Sequence, residues 1–363
     1  MSLRSTALLP LAILCAPIIV CAGNITYTCD SGLTADGTCA VLNSAIANLY
    51  NSTFTNANAS IYIQYGATGL ASSLQYSTNV TYRAYADALA AHEGDANDVT
   101  AVGSLGGDTT NPVVEGRGVT LTSALAAALG LTATADSLGI STSNASCTLG
   151  SAGCYNGIVT VTNAANTWYY ESGPQPSGTY DIFTAIEHET DEVLGTPSCI
   201  TGSGNNPATI TTSVNCTNGL DGNPALGVSA ADLFRWAGAG TRSFLSSANG
   251  TTAYFSINGG TTNIAGYNNQ PNGADYGDWD SGALRVQNAF GTPDTNGTNI
   301  GNDGGAEVAV LDAIGYNLSA SVPEPGTMLL LGAGLVVVGA FRRRVLVGQA
   351  VSLQRGCPTP PRR

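Results

Sequence analysis

The sequence contains no lysine, so every basic side chain is an arginine. Between residues 23 and 321, five arginines stand against 24 of the 25 acidic residues, which leaves a balance of −19. A surface with this charge repels nucleic-acid phosphates and anionic lipid head groups. We therefore expect no nucleic-acid partner, and contact with a membrane only through an apolar segment near the C-terminal end.

Histidine and methionine are also scarce. The two histidines are His92 and His188, and the two methionines are Met1 and Met328. A metal site with three histidine ligands is therefore excluded, and carboxylates must dominate the ligands of any metal that binds. His92 ends an alanine-rich segment and is expected at the surface, so His188 is the candidate ligand.

Residues 1–22 have the pattern of a secretory signal peptide. Arg4 precedes an apolar run from Ala7 to Val20, and Val20-Cys21-Ala22 provides a small-residue cleavage site. The run is short for a membrane span, which makes a permanent N-terminal anchor the weaker alternative. The pattern predicts an exported protein.

The cysteines agree with export, because disulfides form in oxidising compartments. Nine cysteines are present, and six remain once Cys15, Cys21 and Cys357 are set aside with the terminal segments. Several pairings are open to them, and we favour neighbours in sequence, which close short loops. The predicted disulfides are Cys29–Cys39, Cys147–Cys154 and Cys199–Cys216. No C-x-x-C pair is present, which disfavours a cysteine metal cluster.

The C-terminal region carries three features in a fixed order. Pro323-Glu324-Pro325 precedes an apolar stretch, 327–341, and three arginines, 342–344, follow it. This arrangement resembles the PEP-CTERM sorting signal of Gram-negative exported proteins, here spanning 319–344. The resemblance implies a single transmembrane helix, recognition and cleavage near the Pro-Glu-Pro motif by an exosortase-type enzyme, and delivery to the cell surface or extracellular matrix. An ordinary tail anchor is the alternative, and residues 345–363 have no assigned role.

The body of the chain reads as an α+β fold. In its first part, 23–165, segments 61–66 and 157–162 have the β-branched composition of strands, and segments 82–94 and 123–130 are alanine-rich helix candidates. The second part, 166–318, contains a helix predicted from about Asp181 to Leu194, with Gly195 and Pro197 ending it.

That helix contains the stretch AIEHETDEVLG, 185–195. Its apolar residues share one side, while His188 and Glu192, one turn apart, share the opposite side, with Glu189 at the edge. Two donors spaced i, i+4 on a helix can bind one metal ion, and a neighbouring glutamate can accept a proton from water. The alternative is a solvated acidic helix face without a ligand.

The wider pattern resembles an exported bacterial metalloprotease family of zincin, metzincin-like type. It comprises AIEHETDEVLG together with the blocks 231–238, 253–260, 274–279 and 310–318. The resemblance implies a central active-site helix in a metalloprotease-like core, His188 as a metal ligand and Glu189 as the catalytic base. Glu192 replaces the family's second histidine, and Asp278, before Trp279, replaces the third. Asp280, Asp275 and Asp232 are less favoured substitutes for Asp278, and Asp312 is a candidate partner of the ligands.

The function implied by this resemblance is hydrolysis of peptide bonds in a protein or peptide substrate by metal-activated water. The cofactor is a divalent metal, zinc first, with manganese, iron or calcium as alternatives for a carboxylate-rich site. The family's methionine turn is absent, since neither methionine lies in the core. Two rivals remain: a non-catalytic surface or matrix protein on a metalloprotease scaffold, and a calcium-stabilised adhesin. The loop 294–305 has oxygen donors but no EF-hand spacing, which favours a plain loop.

Overall fold

The computed structural model describes residues 23–106, 110–113, 118–131, 138–200, 228–243, 252–270 and 272–319. These residues belong to a compact unit that reaches Ser319. The predicted signal peptide, the sorting signal 319–344 beyond its first residue, and the tail 345–363 lie outside the described residues.

The described elements mix short strands with short helices, which confirms the α+β class. The strands are β1 (Asn24–Cys29), β2 (Asn58–Gly66), β3 (Ala71–Gln75), β4 (Ser77–Val80), β5 (Val119–Thr122), β6 (Leu138–Ser141), β7 (Ser146–Thr148), β8 (Cys154–Tyr155), β9 (Gly157–Thr162), β10 (Trp168–Tyr169), β11 (Tyr180–Asp181), β12 (Val228–Ser229), β13 (Arg235–Gly238), β14 (Thr241–Arg242), β15 (Tyr254–Phe255) and β16 (Ala265–Gly266). The helices are α1 (Ser31–Ala35), α2 (Thr38–Val41), a π-helical turn (Leu42–Ile46), α3 (Ala47–Thr53), α4 (Tyr82–Ala91), α5 (Ala96–Leu105), α6 (Ser123–Ala128), α7 (Ile182–Leu194), a 3₁₀ turn (Ala231–Phe234) and α8 (Ala306–Ile314).

The sheet that positions the predicted site has four strands, in the order β1-β2-β9-β3. β1, β2 and β9 run parallel, with Ile61 opposite Gly157, whereas β3 runs antiparallel to β9, with Ser73 opposite Val159. β9 is buried along almost its whole length, as a central strand requires. β3 ends the sheet, and no other described strand pairs with its outer edge.

The strands and helices predicted in the first part of the chain are present. Segments 61–66 and 157–162 lie in β2 and β9, and α4 and α6 begin at the predicted residues. α4 stops at Ala91 rather than at Gly94, because the chain turns at His92 and a new helix cap begins at Asp95. β12 pairs with β5, so segments before and after residue 165 share one sheet.

Two of the predicted disulfides are confirmed. Cys29 is bonded to Cys39, and Cys147 to Cys154. Cys199 is also disulfide-bonded, while its predicted partner, Cys216, lies outside the described residues. The Cys29–Cys39 bond joins the end of β1 to α2, so it closes the corner where the chain leaves the sheet.

The predicted membrane span, 327–341, also lies outside the described residues. Within the described ranges, no helix combines the length and the apolar composition that crossing a bilayer would require.

α7 packs directly on the sheet, and a missing side chain allows the close approach. A methyl group added at Gly157 would collide with both methyl groups of Val193, coming within 2.8 Å of Cγ1. Val193 is fully buried and β-branched, so its side chain has little freedom to turn away within a helix. Gly157 therefore sets the distance between β9 and the helix that carries the candidate site.

We expect Gly157→Ala to lower the free energy of unfolding by about 2 kcal/mol, because the added methyl overpacks this contact. Chemical denaturation measures the change. Gly103→Ala is the matched control: Gly103 lies in α5 with no neighbouring atom within 4 Å of the added methyl. That substitution should stabilise the protein by up to about 1 kcal/mol, since alanine favours a helix more than glycine does. Equal stability of Gly157→Ala and the wild type would contradict the proposed contact.

Candidate metal centre and its cleft

The helix α7 has the ends that the sequence predicts. The Asp181 carboxylate accepts a hydrogen bond from the Phe183 amide at 2.9 Å, which caps the first turn. Gly195, at a φ of 132°, ends the helix, and its amide donates to the carbonyls of Asp191 and Glu192. The apolar side packs into the core as expected.

The alternative interpretation, in which α7 presents a solvated acidic face, does not agree with the structure. Glu187 and Asp191 are fully buried, and Glu189 and Glu192 are less than a tenth exposed. The reason is tertiary: the sheet covers one side of the helix, and the loop 297–305 together with α3 covers another, as the Glu187–Ile300 and Asp191–Tyr50 hydrogen bonds show. Only His188 among the predicted ligands is partly exposed.

Three of the predicted site residues come together around one point. His188, Glu192 and Asp278 each offer a ligand atom, and these atoms all lie within 4.8 Å of one another. His188 Nε2 and Asp278 Oδ1 are 3.6 Å apart. Because donors around a tetrahedral zinc ion stand about 3.3 Å apart, this pair needs only a small movement to share an ion.

The imidazole of His188 is oriented by the backbone. Its Nδ1 donates to the Val286 carbonyl at 3.1 Å, so the lone pair of Nε2 points towards the cluster. Gln287 follows Val286 in the segment 278–287, which is called the strap below. The side-chain Nε2 of Gln287 is 3.2 Å from His188 Nε2 and 3.1 Å from Asp278 Oδ1. A positively polarised amide group thus lies between two donors, where a cation would also be attracted.

Gln287 supplies a further oxygen to this place. Its Oε1 is buried and has no hydrogen-bond partner. Turning the side-chain amide by half a rotation exchanges its nitrogen and oxygen, which would direct Oε1 to the same point as the imidazole and the Asp278 carboxylate. Sequence reasoning missed Gln287, because nothing in its neighbours distinguishes it from a loop residue.

Glu189 lies beside Glu192 rather than among the ligand atoms. The two carboxyl groups are hydrogen-bonded to each other, and the Ser73 hydroxyl of β3 donates to Glu192 Oε2. Burial, followed by the charge of Glu192, raises the pKa of Glu189 well above its ordinary value. The contact therefore favours a proton shared between the two carboxyl groups.

The pKa values of Asp278, Glu192 and His188 are also shifted by burial and by the excess of negative charge in the cluster. Burial raises the pKa of Asp278 to about 7, although the nearby imidazole opposes the rise. Burial also raises the pKa of Glu192, against the effect of His188. Burial lowers the pKa of His188, but the carboxylates of Asp278 and Glu192 outweigh it and leave the value raised. A divalent cation would neutralise the two carboxylates, so the donor set fits a metal ion.

The cluster lies in the wall of a cleft of about 470 Å³. Its lining includes residues 69–73, in β3 and the turn before it, one side of α7, and residues of the segments 273–278 and 284–292. Leu284 and Phe290 are large apolar side chains exposed at its lining. The site is therefore accessible along the free edge of the sheet.

The less favoured candidates lie elsewhere. Asp275 is exposed and lines the cleft, but it is not part of the converging group, and Asp280 is exposed. Asp232 is buried and accepts hydrogen bonds from Ser198 and the Cys199 amide, which makes it a structural residue. His92 Nδ1 contacts the carbonyl of Ala88 in its own helix. Neither converging acidic group in the described part of the chain includes the acids of loop 294–305.

Asp312 does not accompany the ligands; it lies near Asp95 and Asp98 instead. The residue of α8 that supports the site is Glu307. Its Oε1 accepts a hydrogen bond from Trp279 Nε1 at 2.8 Å and another from the backbone amide of Gln287 at 3.0 Å. The sequence does contain a signal for the burial of Glu307. Positions 307, 310, 311 and 314 share one side of a helix, and the last three are apolar, so the acid at 307 is expected on the buried side.

Arg235 holds the chain just before Asp278. Its side chain donates to the Tyr276 carbonyl at 2.5 Å and to Asn269 Oδ1 at 3.0 Å, and its guanidinium lies over the Tyr267 ring. The Asn268 amide also donates to the Asp278 carbonyl at 2.7 Å. The chain carrying Asp278 is thus held by Arg235 and Glu307 rather than left as a free loop.

Comparison with known proteins gives a family assignment for the C-terminal segment. A family model described as the PEP-CTERM protein-sorting motif matches residues 321–344, which supports export and sorting of the protein by an exosortase. No curated protein and no solved structure matches the chain.

Glu307 provides a test of how the strap 278–287 is held. Burial, and then the hydrogen bond to Asp303, raise its pKa from 4.5 to about 9. A carboxyl with a raised pKa in the folded state stabilises fully below its unfolded pKa, and this contribution is lost as pH rises through the folded value. In metal-free protein, the free energy of unfolding should therefore fall between about pH 5 and pH 9.

We expect Glu307→Gln to remove its part of that slope, since an amide accepts the same two hydrogen bonds and never ionises. At pH 8.5 the variant should exceed the wild type in stability by about 1 kcal/mol or more. Glu307→Ala leaves Trp279 Nε1 and the backbone amide of Gln287 without an acceptor and should cost about 3 kcal/mol below about pH 5. This cost should shrink as pH rises, since the variant also lacks the ionising carboxyl. Denaturation curves across pH measure both, and parallel curves for Glu307→Gln and wild type would contradict this account.

Proposed function

We propose that the protein is an exported, metal-dependent peptidase. His188, Glu192 and Asp278 bind a divalent cation, with zinc the first choice, and Glu189 is the general base. The observation that carries this proposal is the convergence of three donor side chains beside a buried, proton-sharing glutamate in an open cleft. The exosortase-type sorting signal would deliver it to the surface or extracellular matrix of a Gram-negative cell.

Glu189 has the position that a general base requires. A bound cation would polarise the scissile carbonyl and lower the pKa of water near it. Glu189 is buried next to the ligand Glu192 and is not one of the three donors, so its carboxylate can take a proton from water and return it to the leaving amine. Its raised pKa brings it nearer to the range in which a group both accepts and donates protons.

The cleft favours an extended peptide as substrate. β3 is the edge strand of the sheet, and its inner side carries Ser73, which is bonded to Glu192. An edge strand offers backbone donors and acceptors to a chain that lies alongside it, and this mode of recognition suits an extended polypeptide. A substrate bound to β3 would pass the ligand cluster at the level of Ser73.

A non-catalytic binding protein is the second candidate. Gln287 bridges His188 and Asp278, and Glu189 bonds to Glu192, so the cluster is hydrogen-bonded without an ion. A scaffold of this kind could bind extended peptides at β3 without cleaving them.

Metal content and peptide hydrolysis, measured on the same preparations, distinguish the two. We expect wild type to bind about one equivalent of metal and to hydrolyse casein or gelatin. Glu189→Gln should keep the metal and lose activity by a factor of about 10² to 10⁴, the usual contribution of a general base. His188→Ala should lose both. Asp280→Asn, at an exposed carboxylate close in sequence to Asp278, is the matched control and should keep both.

Activity that survives in Glu189→Gln would exclude Glu189 as the base. A wild-type protein that binds neither zinc nor manganese, and cleaves nothing, would favour the binding protein.

A further inference from the structure

A second group of carboxylates lies away from the cleft, where the start of α5 meets α8. Asp95, Asp98 and Asp312 each contribute a carboxylate oxygen, and these oxygens all lie within 4.8 Å of one another. None of the three residues lines the cleft of the first site. Asp312 follows the other two by more than 200 residues, so the group forms only when the chain has folded.

Two of these carboxylates also cap α5. Asp95 Oδ1 accepts from the amides of Asn97 and Asp98, and Asp98 Oδ2 accepts from the amides of Gly94 and Asp95. The capping box uses one oxygen of each carboxylate. It explains why Asp95 and Asp98 stand here, but it does not involve Asp312.

Asp312 is the independent observation. The residue is only 2% exposed, and its Oδ1 is buried without a hydrogen-bond partner. Burial, followed by the charges of Asp98 and Asp95, raises the pKa of its carboxyl to about 8. In the described part of the chain, no arginine forms an ion pair with any of the three acids. A backbone hydrogen bond from Leu318 is the stabilising contact that opposes the rise in this pKa. A buried carboxylate that faces two others without a positive charge costs free energy unless a cation is present.

We propose that Asp95, Asp98 and Asp312 bind a calcium ion that joins α5 to α8. All three donors are hard carboxylate oxygens, the ligands that calcium prefers. Calcium–oxygen distances of 2.3–2.6 Å allow ligand oxygens to lie up to about 5 Å apart, and the oxygens of this group fall within that limit. A donor set of carboxylates alone also favours calcium over zinc, whose sites use nitrogen and sulfur ligands. Water and backbone carbonyls would complete the coordination.

The proposal is independent of the proposed peptidase activity, because the two groups of ligands share no residue. An exported protein meets calcium at concentrations that weak, carboxylate-based sites can bind, with dissociation constants of about 10⁻⁴ to 10⁻³ M. The ion would tie the helix that follows α4 to the last described helix, and α8 in turn carries Glu307, which supports Asp278.

Thermal unfolding of the full-length protein with the substitution His188→Ala tests the proposal without interference from the first site. After treatment with EDTA, addition of about 5 mM calcium should raise Tm by about 5 °C. Asp95→Asn should abolish the rise. Asparagine caps a helix as well as aspartate does, so this variant loses a charged ligand while the cap remains. Asp87→Asn, at an exposed carboxylate paired with Arg83 on α4, is the matched control and should retain the rise.

Asp312→Asn provides the second arm. It should also lose the calcium response, and in EDTA it should be at least as stable as its parent, since it removes the carboxyl that Asp95 and Asp98 repel. The proposal is overturned if calcium leaves Tm of the parent unchanged. It is equally overturned if the full rise persists in both Asp95→Asn and Asp312→Asn. If Asp312→Asn does not fold, Asp95→Asn alone decides the question.

Discussion

The structure depends on burying an acidic helix in a protein that has almost no positive charge to offset it. α7 lies between the sheet and the loop 297–305, and carboxyl groups occur on several of its sides. Each carboxyl group has a different hydrogen-bond partner. Glu187 accepts from the Ile300 amide and Asp191 from Tyr50, while Glu189 shares a proton with Glu192. Burial raises the pKa of all four, which favours the protonated form of each.

This constraint connects the fold to the candidate chemistry. A carboxyl that is kept protonated by burial is a weak ligand and a poor base until a cation lowers its pKa. Binding of a divalent ion at His188, Glu192 and Asp278 would release protons from the cluster and separate Glu189 from its partner. Ion binding would thus offset part of the free energy that burying these acids costs, and it would couple stability to metal occupancy. The carboxylates of Asp95, Asp98 and Asp312 pose the same electrostatic problem at another place.

The ligand cluster also depends on groups that bind no ion. Asp278 lies on a strap whose path is set by Glu307, through Trp279 and the Gln287 amide, and by Arg235, through the Tyr276 carbonyl. The His188 ring is oriented by the Val286 carbonyl of the same strap. The strap 278–287 therefore positions one candidate ligand and orients another through buried hydrogen bonds.

Local patterns in the sequence were sufficient for the elements and for part of the site. Strands 61–66 and 157–162, the caps of α7 and two disulfides were predictable, because each rests on residues close together in the chain. His188 and Glu192 share one side of α7 through helical spacing alone. The C-terminal sorting motif was recognisable for the same reason.

Tertiary structure decided which acids are buried and which of them meet. Several aspartates could have taken the place of Asp278, and only the path of the strap brings that one to His188, while Asp275 stays exposed in the cleft. The roles of Gln287 and Glu307, and the association of Asp312 with Asp95, depend on contacts between residues far apart in sequence. Such contacts are set by how sheet, helix and loop pack together, and the spacing of residues along the sequence does not determine that packing.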